Sequence, residues 1–322
     1  MAQFGVLLPT REAALAGDRD VRRLFDVARA AEAAGLDSVW AGDSLTARPR
    51  PEPLTLLSGI ATACPEVTIG TAALTGALRN PILAAHAIAT LDQVADGRLI
   101  IGLGAGFPYP ETEAEFSVAG ARFDQRVGRL LEAVQVWRAL WDPERDVSES
   151  LSFAGKYTNV EGLEGLTQPV RPGGPPLWLA GAGESALRNT GRLFDGWLPY
   201  VPEASQYAHS LEAIRTAMPD PKATVHPFTP AMYVTVNVQL DPTKARAEMG
   251  AYIQEYYGLP LEIMETLQAS FAGRADWCAQ WVRDFIDAGA EHVIFRIGSF
   301  DWKSQLDAIV TEVVPLLRDE SV

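Results

Sequence analysis

Residues Val67 to Gly106 read as one complete strand–helix–strand unit, and a chain that carries such a unit has few folds open to it. A short β-branched strand, Val67–Ala73, leads to Asn80 as helix cap and to Pro81 at the first helical position. The helix spans Ile82–Val94, Asp96-Gly97 makes the turn, and a second strand, Leu99–Leu103, ends among Gly102, Gly104 and Gly106. Two strands joined through a helix run parallel, and a parallel sheet must be covered by helices on its faces. The glycine-rich end of the second strand leaves backbone open to a flat or anionic ligand.

The same alternation runs along most of the chain. Further strands are expected at Phe4–Leu8, Ser38–Ala41, Leu177–Ala180, Gly196–Leu198, Met232–Gln239 and His292–Ile297. Helices are expected at Asp20–Ala34, Leu54–Ala63, Phe123–Trp141, Ser185–Phe194, Ala275–Ala288 and Trp302–Leu317. Eight strands, each followed by helix, imply an α/β fold of the (β/α)8 TIM-barrel type, a single domain over residues 1–322; a doubly wound sheet is the alternative. Three segments exceed an idealised barrel: 142–176, with a hairpin around Phe153–Tyr157; 203–230, with one helix and a proline-bounded loop; and 243–272, two amphipathic helices broken at Gly258-Leu259-Pro260. Such insertions are expected over the C-terminal mouth of the barrel.

A formal charge of −14 argues against nucleic acid or an anionic membrane surface as partner, and means that an anionic ligand must be held locally by backbone amides and arginines. No apolar run approaches the ~20 residues of a membrane span. The chain enters a strand at once without a leader pattern, and its two cysteines, Cys64 and Cys278, lie far apart, so a cytoplasmic location without a disulfide is expected.

Reactive groups of a barrel belong at the C-terminal strand ends. Here these read Pro9-Thr10, Gly42-Asp43-Ser44, Ala72-Ala73-Leu74-Thr75, Gly104-Ala105-Gly106-Phe107, Gly181-Ala182-Gly183, Pro199-Tyr200, Asn237 and Arg296. They offer no lysine for a Schiff base, no metal-ligand cluster and no Ser-His-acid set. A site poor in catalytic side chains and rich in glycine suits an enzyme whose cofactor carries the chemistry.

The segments AAGLDSVWAGDS, the Val67–Gly106 unit, FAGKYTNV, PPLWLAGAGESALRNTGRLFDGW and DAGAEHVIFRIGS stand in an order that resembles the bacterial luciferase-like family of flavin and deazaflavin (F420) oxidoreductases. The resemblance covers nearly the whole chain. It implies a TIM barrel, F420 or alternatively FMN at the mouth, a homodimer, a small-molecule substrate, and a flavin or F420 reductase as electron source. It further implies a bulged third strand with a cis Ala72–Ala73 bond behind the ring, and Thr75 and Gly104-Ala105-Gly106 beside it. Gly181-Ala182-Gly183 and Ser185 would hold the cofactor phosphate at a helix N-terminus. Asp43 and Ser44 are the catalytic candidates, and Asp43 would hydrogen-bond the central edge of the ring or hold water near its reactive nitrogen.

The sequence departs from the family where Ser44 replaces the usual histidine, since a serine hydroxyl is no proton acceptor near neutral pH. Phe107 stands where F420-dependent sugar-phosphate dehydrogenases carry an acid, and Glu203 where they carry a base, which disfavours a sugar phosphate. Phe107, Tyr109, Tyr200 and Arg296 are the expected substrate-pocket residues, in a fairly apolar pocket. Arg79 is expected to be solvated, Arg126 to meet the fourth-strand loop or an acid, and Trp40, Trp137 and Trp141 to be core. Three functions follow: F420-dependent hydride transfer, an oxygen-using monooxygenase with reduced FMN, or an idle flavin-binding subunit.

Overall fold

The computed structural model describes residues 1–146, 148–218 and 226–318. Eight parallel strands form the barrel: β1 Gln3–Leu7, β2 Ser38–Ala41, β3 Thr68–Thr75, β4 Leu99–Gly104, β5 Leu177–Leu179, β6 Gly196–Trp197, β7 Thr229–Val238 and β8 His292–Ile297. Each pairs with its successor, and β8 pairs with β1, closing the ring. The strands lie within three residues of their expected ends. Asn80 caps Pro81–Val94 by accepting from the amides of Ile82 and Leu83, and the turn after it has positive φ at Asp96 and Gly97, as the local sequence requires.

The insertions differ in placement. The 142–176 segment does form a hairpin, Leu151–Ala154 against Asn159–Leu163. It is pinned to the flank of helix Arg126–Leu140, where Glu132 accepts from the amides of Lys156 (2.7 Å) and Tyr157 (2.8 Å), and it does not roof the mouth. The Glu132 carboxylate, 24 and 25 positions before these amides, holds the turn there, and the hairpin's own sequence carries no sign of it. The 203–230 segment supplies Ala204–Ala217, the helix that follows β6; residues 219–225 of its proline-bounded loop lie outside the described residues. The 243–272 segment does reach the mouth: helices Pro242–Tyr257 and Leu261–Met264 part at Gly258, whose φ of 72° ends the first of them. They lead to an unanticipated strand, Ser270–Gly273, that pairs with Thr235–Val238 at the end of β7. Two short helices, Thr10–Leu15 and Pro110–Val118, were also not anticipated.

The barrel interior is filled by a few large side chains set against glycines. Trp40 of β2 and Trp178 of β5 lie 5.3 Å apart between ring centroids, and His292 of β8 meets both edge-on. A Cβ on Gly70 or Gly196 would lie 2.4 Å from the Trp40 or Trp178 ring respectively, and one on Gly5 2.0 Å from Ser38 Oγ. Large residues on some strands therefore require glycine on their neighbours. Ser38 Oγ accepts from Trp40 Nε1 and shares a second 2.7 Å bond with His292 Nε2, while His292 Nδ1 is buried without a partner.

Burial pushes the His292 imidazole down to about 4, against a weaker opposite pull from Asp37. The unfolded chain therefore takes up a proton below about pH 6.5 that the folded chain refuses. Stability from this group is full above pH 6.5 and falls as pH drops towards 4, by a total of about 3 kcal/mol. Urea unfolding at intervals from pH 7 to 4 is expected to show a shallower loss for His292→Gln than for the natural chain. Equal slopes would refute the assignment.

Candidate active site

Two connected cavities open at the C-terminal end of the barrel. The longer, about 900 Å³, begins at the end of β3. There the pairing with β4 slips between Thr71 and Leu74, and the Ala72–Ala73 bond is cis, as the family resemblance implies. Gly104 leaves the bed open, since a Cβ there would touch the Ala73 methyl at 3.4 Å. Ala73, Thr75 and Gly104-Ala105-Gly106 line the near end of the cleft, and Gly181-Ala182-Gly183 and Ser185 the far end. Of the expected cofactor-binding residues only Ala72 lies elsewhere, on the smaller cavity.

Gly183 is the N-cap of helix Glu184–Leu193 and offers no side-chain acceptor to its first amides. A Cβ on Gly183 would meet nothing within 4 Å. Open donors at the positive end of a helix, facing a cleft, suit a phosphate. Arg126 adds a cation: its guanidinium packs 3.9 Å from the Phe123 ring centroid and donates to Gly106 O, and it has no carboxylate partner among the described residues. Arg188 instead faces Glu184 at 3.7 Å on the exposed helix surface.

The smaller cavity, about 240 Å³, shares Ala73, Phe107, Ala180, Tyr200 and Leu267 with the cleft. Phe107 stacks on Tyr109 (5.4 Å) and leans on Tyr200 (6.1 Å), so three of the four expected pocket residues meet here. Burial, with Tyr257 and Tyr109 nearby, raises the Tyr200 phenol and keeps it neutral. Arg296 does not reach the cavity wall. It is fully buried behind it, donating to the hydroxyls of Tyr252 (2.8 Å) and Tyr257 (2.6 Å) and lying 3.8 Å from the Tyr256 ring centroid. Its charge is thereby spent on the tyrosines that form the wall.

Asp43 and Ser44 part company. Asp43 borders the smaller cavity, but its carboxylate accepts from Arg79 through both oxygens (2.6 and 3.2 Å) and from the Thr75 amide (2.8 Å). Arg79, expected in solvent, also binds Glu52 at 2.9 Å and so ties the loops after β2 and β3 together. Ser44 turns away from both cavities. Its hydroxyl donates to Glu115 (2.8 Å) and accepts from the Arg48 amide (2.8 Å), and Glu115 also takes the amides of Leu45 and Thr46. The structure thus places Ser44, a catalytic candidate from the sequence, in the hydrogen bonds that fold the loop after β2.

The luciferase-like monooxygenase family model matches residues 1–292. The chain belongs to this family. Among curated relatives of this luciferase-like chain, an F420-dependent glucose-6-phosphate dehydrogenase from Kineococcus radiotolerans is 28% identical over 92% of this chain and 93% of its own. The corresponding Nocardia farcinica enzyme is 25% identical over 92% and 94%. A phthiodiolone/phenolphthiodiolone dimycocerosates ketoreductase from Mycobacterium tuberculosis is 32% identical, over 63% of this chain and 57% of its own. Among solved structures, an F420-dependent secondary alcohol dehydrogenase superposes with a TM-score of 0.79 at 23% identity, each chain covered to 99%. Monooxygenase RslO1 from Streptomyces bottropensis gives 0.78 at 18% identity, over 97% and 99%. At these identities the superpositions speak for the fold of the luciferase-like barrel alone.

Several residues of the luciferase-like site were missed. Arg48 and Arg50 border the smaller cavity, as do Tyr256, Tyr257 and Gln268. The arginines alternate with prolines in Arg48-Pro49-Arg50-Pro51, and the tyrosines adjoin Gly258 at a helix end. Both patterns mark loops with fixed backbones, a signal that was present in the sequence.

Ser44→Ala removes one donor and one acceptor from the β2 loop and is expected to cost about 1–2 kcal/mol in urea unfolding. Cofactor affinity, read by fluorescence quenching, is expected to stay within about twofold, because the side chain touches neither cavity. A large loss of affinity at unchanged stability would restore Ser44 to the site.

Proposed function

We propose that this luciferase-like chain is an F420-dependent oxidoreductase that moves a hydride between the deazaflavin, seated in the long cleft, and a small organic substrate in the adjoining cavity. The observation that carries this reading is the continuity of the cleft. A flat bed of small residues at Ala73 and Gly104 lies at one end, open helix amides at Gly183 at the other, and the smaller cavity opens beside the bed. Its residues fit a tricyclic ring with a phosphorylated side chain. The F420-dependent relatives that cover more than nine-tenths of the chain support F420 over FMN.

Bound F420 supplies two-electron hydride chemistry at its ring. Within this reading the chain has three tasks. The Ala72–Ala73 and Gly104 backbone carries one face of the ring. The Gly183 amides and Arg126 hold the phosphate. Phe107, Tyr109 and Tyr200 exclude water from the side where the substrate meets the ring. Asp43, held by Arg79, keeps the loops after β2 and β3 in register. The hydroxyls of Tyr109, Tyr200 and Tyr233 line the smaller cavity and are the candidate donors for the proton that accompanies the hydride; among the described residues no histidine borders it.

Titration of the purified chain with oxidised and reduced F420 and FMN, followed by fluorescence, is the test. Saturable micromolar binding of F420 without an FMN response is expected. The reverse result would favour the FMN-dependent monooxygenase, for which the aromatic wall of the small cavity also speaks; binding of neither would favour an idle subunit. A second outcome separates affinity from folding. Gly183→Asp adds a good N-cap and is expected to hold or raise the melting temperature, while its charge weakens F420 binding by about tenfold or more. Unchanged affinity would remove the phosphate from this helix.

A further inference from the structure

Guanidinium and amide donors are left unpaired around the smaller cavity, beside the phenols of Tyr109, Tyr200 and Tyr233. Arg50 reaches it from the loop after β2. Its Nε donates to Arg48 O and its Nη2 to the Tyr256 hydroxyl, both at 3.2 Å, and Nη1 makes no hydrogen bond among the described residues. Gly42 gives it room: a Cβ there would lie 2.2 Å from Arg50 Nη1 and 3.5 Å from the Ala72 carbonyl oxygen. The guanidinium therefore lies over the end of β2, next to the ring bed. Arg48 packs 5.1 Å from the Tyr257 ring centroid, and its side chain makes no hydrogen bond among the described residues. Gln268, 4% exposed, also borders the cavity. Its Oε1 accepts from the Tyr257 hydroxyl at 3.2 Å while its Nε2 is buried without a partner.

Charge points the same way. Arg11, Arg48, Arg50 and the buried Arg296 surround this tyrosine cluster, and none forms an ion pair among the described residues. Two carboxylates stand near. Glu12 is bound by the Tyr252 hydroxyl, and Asp43 is held in the Arg79 fork. In a chain of net charge −14, arginines gathered around one cavity with Glu12 as the carboxylate near them outside the Arg79 fork are a local reversal of charge. Forked guanidinium donors and an amide N–H bordering one cavity match an oxygen anion, and the rings of Phe107, Tyr109 and Tyr200 that line it match a flat apolar body.

We propose that the smaller cavity selects a substrate that carries an anionic oxygen group, carboxylate or phosphate, on an aromatic or otherwise flat apolar body, with Arg48, Arg50 and Gln268 seating the anion. This places the anion close to Ala72, so the seat orients the body against the ring bed. The assignment of the reacting partner rests on the cleft's holding the cofactor, as proposed above.

The experiment is calorimetric titration of the full chain, with and without saturating F420, using benzoate, phenyl phosphate, neutral benzamide and glucose 6-phosphate as probes. Benzoate or phenyl phosphate is expected to bind about tenfold or more tightly than benzamide, and the tighter of the two identifies the anion. Arg50→Gln and Arg48→Gln are each expected to remove that preference while leaving benzamide binding and F420 affinity unchanged. Arg50→Lys, which keeps the charge and loses the fork, is expected to recover part of it. Melting temperatures confirm that each variant is folded; if one is not, the anion preference of the natural chain and its loss in the other variant decide. Equal affinity for benzoate, phenyl phosphate and benzamide, or no binding of any of them, overturns the proposal. So does a preference for glucose 6-phosphate over phenyl phosphate, or a loss of F420 affinity in Arg50→Gln. If the chain binds neither F420 nor FMN but keeps an Arg50-dependent anion preference, the cofactor reading falls and the anion seat stands. If F420 binds and the preference is absent, only the seat falls.

Discussion

The site of this chain depends on how the barrel is filled. Trp40 and Trp178 meet inside the ring, and Gly5, Gly70 and Gly196 supply the space that their neighbours' bulk consumes. A closed ring of parallel strands has no free edge and no freedom to slide once its interior is packed, so the plug sets the height at which each strand ends. Leu7, Ala72 and Leu198 lie on the same inward face and form the floor of the smaller cavity. Chemistry at the mouth is thus built on a closely packed, mainly apolar layer that also holds His292, Ser38 and Tyr233.

Above that floor, polar contacts do two different jobs. Some hold loops. Glu115 gathers the amides that follow Ser44, and Arg79 links Asp43 to Glu52, which itself caps the helix Pro53–Ala63 through the Thr55 amide. These groups are paired among themselves and have little left for a ligand. Others are left with donors to spare: the Gly183 amides and Arg126 along the cleft, and Arg48, Arg50 and Gln268 around the smaller cavity. Buried donors without a partner also occur in the scaffold, at Trp141, Trp178 and His292, so what marks the site is spare donors that border a cavity.

Much of the barrel was legible in the chain itself. The Asn80-Pro81 start, the Asp96-Gly97 turn and the runs of β-branched residues act through neighbours a few positions away, so local rules suffice for them. The ring bed was legible too, through glycines and alanines in order along the unit from Val67 to Gly106. Roles that depend on distant partners were not. The contacts of Ser44 and Arg79 could not be read there because Glu115 and Asp43 lie 71 and 36 positions away from them. Arg296 sits at a strand end, yet the helix Pro242–Tyr257 covers it with tyrosines before any ligand reaches it.

The sequence by itself determined the alternation of strand and helix, the closed parallel barrel that this alternation implies, and the small-residue bed for a flat cofactor. Each follows from spacing, caps and side-chain size, which act over short stretches of chain. Only the tertiary structure decided which charges are spent and which remain. The sequence put Arg79 in solvent and Arg296 in the substrate pocket, whereas folding paired the first with Asp43 and buried the second among tyrosines. Arg50 gained its place from the missing side chain of Gly42 and the arrival of Tyr256 from more than two hundred residues away. Electrostatic complementarity is a property of juxtaposed groups, and juxtaposition is what closure of the barrel creates.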